Sequence, residues 1–136
     1  MEVLITCMEQ PETRVRLHEC VAFDQDITTM AVELRACGLE AQLGIEVLDH
    51  DRLPRFVAAL ADDFAGWEGE RGWRSSHDEL AVVARFHPRG HVELRWRLSQ
   101  QLETPGSWSA CVTTWIEAGE GMRRLTADLK ELFDAR

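Results

Sequence analysis

Thr28-Thr29-Met30-Ala31-Val32-Glu33-Leu34-Arg35-Ala36-Cys37-Gly38-Leu39-Glu40-Ala41-Gln42-Leu43-Gly44-Ile45-Glu46-Val47 reads as two strands and the turn between them. Met30, Val32, Leu34 and Ala36 repeat with the period of two that strand side chains follow. Leu39, Ala41, Leu43, Ile45 and Val47 do the same, but on odd numbers. A two-residue hairpin loop requires that switch, because it sets residue 36 opposite 39 and 34 opposite 41. Cys37-Gly38 occupies the loop, and glycine in second place suits a type I′ turn.

Upstream, Val3-Leu4-Ile5-Thr6-Cys7 is a short apolar run that Pro11 ends, and it reads as a first strand. Val15, Leu17, Val21 and Phe23 then alternate, with Glu19 on what should be the buried face. A bulge near His18–Cys20 that turns Glu19 outward is the more common solution, and a buried carboxylate is the other. Downstream, Asp49-His50-Asp51 opens a helix, with Asp51 as its cap and Pro54 in the first turn. Leu53, Phe56, Val57, Leu60, Ala61 and Phe64 make its apolar stripe.

Gly66-Trp67-Glu68-Gly69-Glu70-Arg71-Gly72-Trp73 separates the two halves. It reads as a rigid connector in which glycines take φ values other residues avoid, tryptophans bury their rings, and each indole N–H finds an acceptor. Trp73 lies on a short strand running into Ser75-Ser76. Leu80, Val82, Ala84 and Phe86 alternate, then Val92, Leu94, Trp96 and Leu98, then Trp108, Ala110, Val112, Thr114 and Ile116. All these inward positions are even, so the loops between strands are odd in length, as a three- or five-residue turn around Pro88–Gly90 provides. A last helix starts near Glu120, with Met122, Leu125, Leu129, Leu132 and Phe133 inward and Glu120–Arg124 as an i,i+4 pair. The expected fold is α+β over residues 1–136 as a single domain. It is a two-layer sandwich, an antiparallel meander of about seven or eight strands with both helices on one face. The halves look like a loose structural repeat without a sequence repeat.

Gly66 to Ser75, then Gly90-His91-Val92, Trp108-Ser109-Ala110 and Glu117-Ala118-Gly119-Glu120 with the leucine-rich last helix, resemble the bacterial domain-of-unknown-function family 6228. The resemblance covers roughly residues 55–135. It implies a small bacterial protein and carries over no catalytic residue.

The chain's net charge of -9 excludes a nucleic-acid groove, which needs a basic surface. The start MEVLITCMEQ has neither a basic start nor a long apolar run, and no stretch is apolar enough to span a membrane. Cys7, Cys20, Cys37 and Cys111 form no C-x-x-C pair and are expected as reduced thiols of a cytoplasmic protein. His87 and His91 flank a turn and, with Glu93 or Asp78, are a candidate metal site. Pro88 and Gly90 already account for the turn, and neither this group nor Asp49-His50-Asp51 has helical ligand spacing. No metal, cofactor or catalytic residue is assigned. No nucleophile elbow or phosphate loop occurs, and no base is marked for any cysteine.

The outward face of the second-half strands carries Val83, Arg85, Glu93, Arg95, Arg97, Cys111, Thr113 and Trp115. Arginine and tryptophan anchor protein interfaces, and cross-strand pairing of Arg85 with Glu93, or of Trp115 under an arginine, is the alternative use. The expected function is a non-enzymatic protein-interaction module, self-associating as a homodimer or capturing a partner as small acidic immunity proteins do. The other reading is a small-molecule binder or minor enzyme. Its pocket would lie between sheet and helices and be lined by Trp67, Glu68, Glu70, Trp73, Trp96 and Trp108.

Overall fold

The computed structural model describes residues 1–48, 52–100 and 105–136. The proposed cap at Asp49-His50-Asp51 lies outside the described residues. The elements run β1 (Glu2–Cys7), β2 (Gln10–Ala22), β3 (Ile27–Ala36), β4 (Leu39–Leu48), α1 (Arg52–Asp62), β5 (Glu70–Arg74), β6 (Leu80–His87), β7 (His91–Ser99), β8 (Ser109–Glu117) and α2 (Glu120–Asp134). All strand pairs are antiparallel, in two sheets ordered β1-β2-β3-β4 and β5-β6-β7-β8. The α+β two-layer architecture is the expected one, with the meander divided where α1 leaves β4. The sheets meet where Met8 N–H donates to Trp115 O at 2.9 Å and Trp115 N–H donates to Cys7 Sγ at 3.4 Å.

One hydrophobic cluster serves the whole assembly. It holds Val3, Val15, Val32 and Val47 from the first sheet, Trp73, Val82, Trp96 and Val112 from the second, and Leu60 and Leu129 from the helices. Burying each such side chain contributes roughly 1.5–3 kcal/mol. The five residues expected on the inner stripe of α2 are its five buried residues.

The β3–β4 register sets Ala36 opposite Leu39 and Leu34 opposite Ala41, as the parity switch requires. Positive φ occurs at Gly38 (φ 80) but not at Cys37. The loop is therefore not type I′, which needs it at both central residues. The expected bulge is present: between His18 and Val21 the register with β3 shifts, Glu19 takes φ 52, and its side chain is 76% exposed. Three steps along β2 face two along β3, so the strand changes phase. Val21 and Phe23 consequently point outward, correcting their inward assignment.

Phe64 is likewise exposed rather than on the α1 stripe, because α1 ends at Asp62 and Gly66 N–H closes a turn onto Asp63 O at 2.8 Å. The three-residue turn after His87 pairs His87 with His91 and Arg85 with Glu93.

The α2 N-terminus is built by Glu117. Its Oε1 accepts the N–H of Gly119 (2.9 Å) and Glu120 (3.2 Å), and its Oε2 accepts that of Gly121 (2.9 Å). These backbone donors, Gly121 first, hold the carboxyl below its ordinary pKa. Arg123, not Arg124, pairs with Glu120, at 3.0 Å.

Candidate interaction surface

The outward face of β5–β8 carries the residues expected as an interface. Glu70, Arg85 and Glu93 lie in one cross-strand row, and Val83 and Arg95 in the next. Arg85 pairs with Glu70 at 3.3 Å and Arg95 with the same carboxylate at 3.6 Å. Arg97 donates to Asp78 at 3.0 Å. Arg85 lies opposite Glu93 as expected, while the Glu93 carboxylate is taken by His87 Nε2 at 2.9 Å. Trp115 packs against the His87 ring, with centroids 4.4 Å apart, instead of lying under an arginine. Arg85, Arg95 and Cys111 are exposed, while Val83, Arg97, Thr113 and Trp115 are half-buried.

The six residues expected to line a pocket are not brought together. Trp96 is fully buried, and its indole donates to Thr114 Oγ1 at 3.1 Å. Trp73 is core as well, so these rings fill the space between sheet and helices. Trp67 packs on Phe86 at 5.4 Å under the Arg71 guanidinium at 4.8 Å. Trp108 is half-buried at the head of β8, Glu68 is exposed, and Glu70 belongs to the arginine face. Among the described residues neither Trp67 Nε1 nor Trp73 Nε1 has a hydrogen-bond partner, contrary to the expected acceptors.

The outer face of β1–β4 holds residues that the sequence reading passed over. Glu33, with its side chain 12% exposed, accepts from Arg16 at 2.6 Å and lies 3.1 Å from His18 Nε2. Arg16 also pairs with Glu2. The Arg16 hydrogen bond holds the Glu33 carboxyl below its ordinary pKa. Arg16 and Glu33 sit opposite each other in the register, so strand phase was the signal that could have found them.

All four cysteines are free. Burial pushes the Cys20 thiol up to about 11, which leaves little thiolate at neutral pH. Among the described residues no three His, Cys, Asp or Glu side chains converge as metal ligands. No described helix is long and apolar enough to cross a membrane.

The fold and this surface define a small α+β protein with one covered and one open face to its second sheet. The chain belongs to the bacterial Family of unknown function (DUF6228), whose model matches residues 6–136. The match takes in the first half as well as the region of resemblance. No curated protein and no solved structure matches the chain.

Proposed function

We propose that this chain is a non-enzymatic protein-interaction module whose contact surface is the outward face of β5–β8. The arrangement of Arg85, Arg95 and Glu70 carries the reading. One carboxylate lies 3.3 and 3.6 Å from two guanidiniums whose side chains are 51% and 49% exposed. A shared carboxylate offsets one of the two positive charges and holds both planar forks above the strands. Arginines fixed in this way lose less freedom on binding, and they recognise carboxylates through paired hydrogen bonds. A chain of net charge -9 is itself rich in such carboxylates, so a second copy is the first occupant of this face. A foreign protein, captured as small acidic immunity proteins capture theirs, is the other. The setting is the cytoplasm, which keeps the four thiols free.

The small-molecule reading has weaker support, because Trp73 and Trp96 occupy the space its pocket requires. Cys111, exposed on the arginine face, supplies the test. In a Cys37→Ser background, a long bismaleimide should join two copies through Cys111. Recovery of uncrosslinked chain alone would count against self-association.

A further inference from the structure

The bulge at Glu19 has a price in backbone strain, since a non-glycine residue at φ 52 is disfavoured. What it produces is the outward turn of the next two apolar residues. Val21 is 54% and Phe23 73% exposed, with Leu48 at 42% on the same end of the sheet. Phe23 is not fraying: its N–H donates to Ile27 O at 2.9 Å, and Asp24 Oδ1 accepts the N–H of Asp26 and Ile27 at 2.8 and 2.9 Å. The strand is thus held so as to display apolar side chains.

Beside this shelf runs a trough of about 360 Å³ between Glu19 and Glu46. Its floor includes Ala31 and Gly44, which are directly paired, and a Cβ added at Gly44 would meet nothing within 4 Å. Glu19 lies 4.0 Å from His18, and Glu46 lies 3.9 Å from His77 with Glu79 beside it. Asp24 and Asp26, in the bend that follows Phe23, are exposed as well. An apolar shelf beside a carboxylate-walled trough calls for a ligand that is apolar and cationic at once.

We infer that this end of the outer face of β2–β4 docks a cationic segment of a partner protein. A lysine or arginine of that segment enters the trough between Glu19 and Glu46, and a neighbouring apolar side chain rests on Val21, Phe23 and Leu48. The charge complementarity is local to this end of the face, since Arg16 and Arg35 lie farther along β2 and β3 and Arg85 and Arg95 lie on the second sheet. The inference rests on the reading of the chain as an interaction module and uses a surface separate from the arginine face.

The test is an amide chemical-shift titration with two synthetic decapeptides. One alternates leucine with lysine, and the other carries glutamate in place of each lysine. The lysine peptide should shift Val21, Phe23, Ala31, Gly44 and Glu46 saturably, and the glutamate peptide should not. Gly44→Leu, which fills the trough without changing charge, and Phe23→Ser should each weaken binding at least about tenfold. Arg95→Glu, on the other sheet, should leave it unchanged, so failure of the arginine-face proposal would not register here. Binding weaker than about 1 mM, shifts spread over the acidic surface, or full affinity in Gly44→Leu would overturn the inference.

Discussion

The indole N–H of Trp96 donates to the hydroxyl of Thr114 at 3.1 Å, and neither residue has exposed surface. The two are diagonal neighbours on β7 and β8, since Trp96 faces Val112 and Thr114 faces Leu94. Thr114→Val keeps the volume and removes the acceptor, leaving the buried N–H unsatisfied at a cost of about 1–3 kcal/mol. Trp96→Ala should cost roughly 3–5 kcal/mol, because it opens a cavity in the shared core. Urea denaturation checks both, and a Trp96→Ala loss below about 1 kcal/mol would place the ring outside the load of the core.

Glu117 joins β8 to α2. Its folded pKa lies below its unfolded one, so its contribution is complete above the unfolded value and is lost as pH falls through the folded value. Glu117→Gln should lower Tm at pH 7. The gap to wild type should narrow as pH falls below about 4.3, the ordinary glutamate value. A gap constant from pH 7 to acid would show that the carboxylate charge has no part in the cap.

Gly66 stands at φ 112, and a Cβ there would lie 2.7 Å from the Phe86 ring that packs on Trp67. Gly66→Ala combines backbone strain with that clash and should destabilise by about 1–3 kcal/mol. Thermal melts check this. An unchanged Tm would mean that the connector is not pinned through Phe86.

Cysteine alkylation should follow burial. Cys37 and Cys111 are exposed, Cys7 is buried, and Cys20 is half-buried with its thiol raised to about 11. Iodoacetamide at pH 8 should label Cys37 and Cys111 first, as read by peptide mass spectrometry. Fast labelling of Cys20 would contradict its half-buried, protonated state.

Strand period and loop parity were enough to read the β3–β4 hairpin, the β6–β7 turn and the inner stripe of α2, because each is set by local chemistry. The bulge at Glu19 was legible as well, since a charged residue interrupted an apolar alternation. Its consequence reaches beyond the local pattern: an extra residue reverses every side chain beyond it, which turns Val21 and Phe23 outward. The arginine face was visible from strand phase, but its ion pairs were not. Glu70 stands within the glycine-rich connector in sequence, yet β5 brings it opposite Arg85. A tryptophan pocket is hard to read for a related reason. Sequence spacing gives the face of a strand but not whether a large ring fills the space in front of it.

The proposed contact through the arginine face is tested most directly by sedimentation velocity at about 100 μM, since an oligomer's population depends on concentration. Wild type, Arg95→Glu and Trp115→Glu would be compared, with circular dichroism confirming that each variant is folded. The account predicts a dimeric wild type and monomeric variants. A wild type that sediments as a monomer, or folded variants that remain dimeric, would contradict self-association through this face.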